Sequence, residues 1–225
     1  MSLPTSFSGR RRAASLAGAL SFGALALALV TSPVMAATTT PFNTNLVKNG
    51  SAEAGIASLN GQSGVPIPGW EGITDSNFTV VEYGTPGGFP TVGNAPPKAG
   101  HQFFSAGAEH FGECDTLIQS IFINGRNSLI DGHHVQVTLS AWMATYGSQQ
   151  DNAIVLLKFG DDSNNSLGST KLPTQTATND VFHHLTKSVL LPRKTREMTV
   201  VLESTNHTGY CDAYFDKVSV KLNQV

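Results

Sequence analysis

The sequence predicts an all-β protein, two antiparallel sheets packed face to face with one face of each turned inward. Three observations predict it. Beyond residue 36 no run longer than about ten residues carries a helical stripe of apolar positions. Nine or ten short runs instead favour β-branched and aromatic residues or alternate apolar with polar. Turns separate those runs, built from Asn and from a supply of 22 glycines and 11 prolines.

The chain opens with a different kind of segment. Arg10, Arg11 and Arg12 precede the apolar run Ala13 to Val30, and Val34 and Ala36 frame a small-residue site. Residues 1–36 thus read as an export signal cleaved after Ala36, which makes the mature protein secreted. The alternative is a retained anchor, for which the 18 residues from Ala13 to Val30, diluted by Ser and Gly, are marginal. Residues 37–45 are a polar, flexible lead-in, and 46–225 form one domain with no linker or internal repeat.

The elements follow in order. Leu46 to Lys48 is a first extended piece, closed by Asn49-Gly50; residues 51–68 are loop. Gly69 to Glu71 and Phe78 to Tyr83 are the next extended pieces. The five glycines and four prolines of residues 84–100 make a second long loop. His101 to Ser105 and Thr116 to Ile123 read as strands, the latter ending at Asn124-Gly125. The clearest alternation sets His134, Gln136, Thr138 and Ser140 against Val135, Val137, Leu139 and Ala141, a half-buried strand. Ala153 to Phe159, Val181 to Leu191, Met198 to Leu202 and Ala213 to Leu222 complete the set.

Composition narrows function. Charged residues are 13% of the chain, with 14 basic against 16 acidic. Three of the basic residues are the leader arginines, so the body is more acidic than the whole. Such a body has no net attraction for nucleic acid or an anionic membrane, and no stable membrane insertion is expected of it. The two cysteines, Cys114 and Cys211, are most simply one disulfide in an oxidising compartment, heading neighbouring strands; two buried thiols are the alternative.

The last strand holds an oddity. Strict alternation puts Tyr214, Asp216, Val218, Val220 and Leu222 on one face, and Phe215, Lys217, Ser219 and Lys221 on the other. The lysines mark the second face as solvent, so Asp216 is expected to point inward. There a carboxylate needs a partner, a dense set of hydrogen bonds or a metal.

Three stretches carry a resemblance: Asn45-Leu-Val-Lys-Asn-Gly-Ser-Ala-Glu53, Ile67-Pro-Gly-Trp-Glu71 and Asp212-Ala-Tyr-Phe-Asp-Lys-Val-Ser-Val220. Together they resemble the bracketing motifs of galactose-binding-like jelly rolls, in the style of bacterial carbohydrate-binding modules of families 4, 9 and 22. The resemblance spans residues 45–222 and implies a jelly-roll β-sandwich. It also implies a structural calcium ion where the first and last strands meet. Glu53 and Asp216 would be its acidic ligands, with backbone carbonyls around Asn49 and Ser51 and near Lys98 to His101. Oxygen donors in that number suit calcium. A hydrogen-bond network from Asp216 to backbone is the alternative reading of the same carboxylate. Trp70 matches the family's structural tryptophan.

Sugar binding needs aromatic platforms with polar neighbours. Trp142 continues the polar phase of its strand; Tyr146, Gln149 and Asp151 follow it, and these four residues are the candidate carbohydrate site. The alternative is that a long loop covers Trp142 as part of a satellite cluster. Adjacent histidines His133-His134 and His183-His184 face opposite ways in a strand and do not chelate one metal. No zinc-protease helix, nucleophile elbow or phosphate loop occurs in the chain. Glu71, Glu82, Glu109 and Glu113 lie near loops and are the carboxylates a glycoside hydrolase would draw on. The expectation is a secreted, non-catalytic protein that binds a polysaccharide or cell-surface glycan. The alternatives are an extracellular adhesion or structural protein without a sugar site, and a small glycan-active hydrolase or lyase.

Overall fold

The computed structural model describes residues 38–72, 77–107, 114–205 and 209–225. The expected leader, Glu109 and Glu113 lie outside the described residues.

Eleven strands occur among these residues. They are β1 (Glu71–Gly72), β2 (Thr79–Glu82), β3 (Gln102–Ser105), β4 (Thr116–Phe122), β5 (Val135–Thr145), β6 (Asn152–Gly160), β7 (Ser166–Lys171), β8 (Gln175–Thr176), β9 (His183–Leu190), β10 (Glu197–Thr205) and β11 (Ala213–Gln224). A single helical turn, α1 (Asn127–Asp131), links β4 to β5. A front sheet runs β2-β3-β11-β5-β9, and a back sheet runs β1-β4-β10-β6-β7 with β8 also on β6. Every strand pairing is antiparallel. These are the two packed antiparallel sheets that the pattern predicts, in the jelly-roll sandwich that the resemblance implies.

Alternation explains the core. Val135, Val137, Leu139 and Ala141 of β5 are fully buried, while their neighbours Gln136, Thr138 and Ser140 are half-buried on the other face. From the back sheet Leu117, Ile121, Val155, Leu157, Met198, Val200 and Leu202 meet them. Trp70 is buried and stacks edge-on against Phe104, its ring centroid 5.3 Å away. Gln119 is a polar residue in an inward phase, and its amide shows why. It accepts from Lys48 N (2.7 Å) and donates to the carbonyls of Lys48 (2.9 Å) and Gly69 (2.7 Å), tying two early segments to β4.

The fold departs from the sequence reading in four places. Leu46 to Lys48 forms no ladder; isolated bonds hold this segment beside β11, Leu46 N to Val220 O at 2.9 Å among them. β7 and β8 appear where no strand is expected, because Ser166–Lys171 offers only one half-buried apolar residue, Leu167, to mark it. The disulfide Cys114–Cys211 forms, with its Cα atoms 5.4 Å apart, but it joins the heads of β4 and β11. Those strands lie in opposite sheets rather than side by side.

The fourth departure is in β11. Its register slips between Asp216 and Ser219, and Lys217 sits there with φ of +50°. This bulge reverses the phase. Ala213 and Phe215 face the core before it; Val218, Val220 and Leu222 face the core after it. Tyr214 and Asp216 therefore point away from the main core, opposite to Val218, and one shared face for all five residues is corrected. Asp216 is nonetheless completely buried.

Candidate functional site

The bulge delivers Asp216 to the outer side of the front sheet, where a second apolar cluster has formed. Val81, Tyr83, Phe89, Phe103, Ala144, Phe182 and Tyr214 are its buried members. Loop 84–100 supplies Phe89, and the segment before β9 supplies Phe182. Tyr83 donates its hydroxyl to Asp216 Oδ2 (2.9 Å), and Lys217 N donates to Asp216 Oδ1 (2.6 Å). Burial pushes the Asp216 carboxyl up to about 7, and these two hydrogen bonds hold it back from going further. Burial first, and the Asp216 carboxylate second, push the Tyr83 phenol well above its usual range. The charge of Glu53 adds to the upward push on Asp216, so the two acids named for calcium act on each other.

The other residues named for calcium line a separate cleft of about 570 Å³. Asn49, Ser51 and Glu53 border it together with Lys98, Gly100 and Lys217. Glu53 accepts from His101 N (3.0 and 3.1 Å) and Gln102 N (2.9 Å). The Asn49 carbonyl accepts from the Trp70 indole (3.2 Å) and Ala52 N (3.2 Å); Gly50 O accepts from Val218 N (2.7 Å). Asp216 does not border the cleft. Among the described residues no group of three His, Cys, Asp or Glu gathers to hold a metal. Glu53 is the one carboxylate that borders the cleft, and Lys98 and Lys217 border it too.

The four residues named for sugar lie at one end of the front sheet. Trp142 is half-buried and stacks on His184 of β9, centroids 5.1 Å apart. It packs against the rim of the second cluster, as does half-buried Tyr146, whose ring lies against Gly88. Gln149 is exposed. Asp151 is completely buried, so it is out of reach of a surface ligand, and with Asp180 it raises the carboxyl of Asp212. Below Trp142 the face opens into polar rows. Asn223 Nδ2 donates to Thr138 Oγ1 (2.9 Å), which shares a hydrogen bond with Ser188 Oγ (2.8 Å).

The outer face of the back sheet offers a different surface, which sequence reasoning missed. Phe122 ends β4 in the outward phase, opposite the buried Ile121, and is 67% exposed. It borders a cavity of about 400 Å³ lined also by Asn127, Asp162, Asn164, Arg196 and Glu197. Asn164 and Glu197 border a second cavity of about 160 Å³ as well, with Lys158, Gly160 and Ser166. Register explains the groove. Phe122 pairs with Glu197, Glu197 with Gly160, and Gly160 with Ser166, so one row across four strands reads ring, carboxylate, bare backbone, hydroxyl. Arg196 is neutralised by Asp131, Nη2 to Oδ2 at 2.7 Å. Asp161 is occupied within its own turn by Ser163 N, Asn165 N and the Asn165 amide, and those bonds lower its carboxyl. The outward phase of Phe122 is visible in Thr116 to Phe122, but the cavity beside it depends on residues brought from distant strands.

No family model and no curated protein sequence matches the chain. Solved structures do. A family 16 carbohydrate-binding module matches at 15% identity over 78% of this chain and 99% of that one, TM-score 0.51. The fold resembles that of carbohydrate-binding modules. It also resembles part of an arabinose-bound α-L-arabinofuranosidase, MgGH51, at 10% identity, 80% of this chain and TM-score 0.52; the chain spans only 27% of that enzyme's length. The CBM22-1 xylan-binding domain of Paenibacillus barcinonensis Xyn10C matches at 12% identity over 78% of this chain and 99% of that one, TM-score 0.43. At such identities the likeness is one of fold.

Proposed function

We propose that this chain is an exported, non-catalytic glycan-binding module that holds a neutral polysaccharide in the groove beside Phe122. One observation carries the reading: a phenyl ring 67% exposed beside a cavity that shares Glu197 and Asn164 with a second one. A pyranose presents an apolar face and a rim of hydroxyls. The ring of Phe122 stacks on the former; Glu197, Asn127, Asn164 and Lys158 exchange hydrogen bonds with the latter. With Arg196 paired to Asp131, Lys158 stands against Glu197 and Asp162, so the groove disfavours an anionic chain. The family 16 carbohydrate-binding module of similar fold supports this reading.

A second reading places the sugar on the front face at Trp142, because that indole is only half-buried and stands above rows of Ser, Thr and Asn side chains. Affinity electrophoresis of the mature chain in gels containing xylan, arabinan, galactan or mixed-linkage β-glucan separates the two. Phe122→Ala is expected to abolish retardation in the retarding gel, with Trp142→Ala retaining it. The reverse pattern moves the site to the front face. No retardation in any gel moves the protein to the adhesion reading, and release of reducing ends from any of the four revives the hydrolase. N-terminal sequencing of protein recovered outside the cell is expected to begin at Ala37.

A further inference from the structure

The cleft at the junction of the first segment with β11 carries an inference that does not depend on where glycan binds. Three polar contacts fasten residues 97–102 there. Glu53 takes the backbone N–H groups of His101 and Gln102, as described above, and Lys217 Nζ donates to Pro97 O at 2.6 Å. Gly100 passes so close that a Cβ on it would lie 2.2 Å from the Glu53 carboxyl carbon. The loop is therefore gripped at its amide end by an anion and at its carbonyl end by a cation, each complementing the peptide groups it meets. Lys217 reaches this position because it is the left-handed residue of the β11 bulge, φ +50°. In regular strand phase a residue here would stay in the ladder.

We infer that the Lys217 ammonium is the resident cation of this junction and that the junction is built to stand without a divalent metal. Lys98 borders the same cleft, so two lysines and one carboxylate line it. Calcium takes six to eight oxygens. Here the Glu53 carboxylate is taken up by the His101 and Gln102 amides, Lys217 Nζ already occupies Pro97 O, and Asp216 Oδ2 accepts from Tyr83.

Thermal unfolding of the mature chain in millimolar EGTA and in millimolar calcium chloride tests this. The two midpoints are expected to agree within about a degree, and calorimetric titration of calcium chloride into the protein to give no saturable heat. Lys217→Met is expected to lower the midpoint by about 2–4 °C, with Lys217→Arg keeping most of it. A midpoint that falls in EGTA, or a saturable calcium heat, overturns the inference; so does a Lys217→Met protein as stable as the parent. Should Lys217→Met fail to fold, the two measurements on the parent chain still decide. None of these readouts uses a glycan, so the inference and the glycan reading fail separately.

Discussion

The two outer faces of the sandwich are built from the same alternating strands, yet one is roofed and the other is open. On the front sheet Phe103 and Tyr214 point outward, and loop 84–100 folds over them, stacking Phe89 6.4 Å from Phe103 and 6.2 Å from Tyr214. On the back sheet Phe122 points outward and stays largely exposed. An aromatic side chain in the polar phase of a strand is therefore not yet a binding platform. What decides its role is whether a long loop lies over its strand end.

Truncating one ring on each face gives the largest contrast. Phe103 is completely buried and touches the rings of Tyr83, Phe89, Phe182 and Tyr214. Phe103→Ala is expected to cost about 3–5 kcal/mol by denaturant unfolding. Phe122→Ala removes the same atoms from solvent and is expected to stay within about 0.5 kcal/mol of the parent. Equal losses at the two positions would mean that the back face is covered too, and would break the comparison.

A smaller effect distinguishes the roofed end by its acids. Burial first, then the neighbouring charges of Asp151 and Asp180, push Asp212 up to about 6. In the unfolded chain the same carboxyl titrates near its ordinary value, so between about pH 4 and pH 6 the folded state binds more protons than the unfolded one. Stability from this group accordingly falls as pH rises through that window and levels off above it. The cost at neutral pH is at most about 3 kcal/mol. Asp212→Asn is expected to flatten that fall and to unfold at a higher temperature than the parent at pH 7. An unchanged pH profile would show that Asp212 does not carry it.

How much of this was legible in the sequence follows from the kind of signal each feature leaves. The alternation in β5 reads directly, because every inward position from Val135 to Ala141 is apolar and buried. β7 left almost none: it pairs with β6 through backbone, and its residues face solvent except for half-buried Leu167 and buried Thr170. Asp216 was legible as a buried carboxylate but not in its direction, because the bulge that turns it rests on a left-handed lysine where a glycine would have announced it. Trp142 was legible as outward, with a place in a satellite cluster as the alternative; the residues that crowd it were not legible, since Phe182 and Tyr146 reach that rim from other segments. Glu197, Gly160 and Phe122 lie on three strands, and only the register between them makes a groove.

Gly160 gives the subtlest test of the open face. Its place in a strand is not explained by a left-handed backbone, and a Cβ there would meet only ordinary contacts, Asn165 O at 3.9 Å and the Glu197 Cβ at 4.0 Å. Nothing in the fold therefore requires glycine at this position, while the groove does require the absence of a bulky side chain between Glu197 and Ser166. Gly160→Ala is expected to leave both stability and retardation in the polysaccharide gel unchanged. Gly160→Phe would project a ring into the hollow from a strand that loses nothing by it, so its midpoint is expected within about a degree or two of the parent. Its retardation is expected to vanish. A Gly160→Phe protein that is still retarded would show that the ligand rests on Phe122 without entering the hollow, confining the site to the larger cavity.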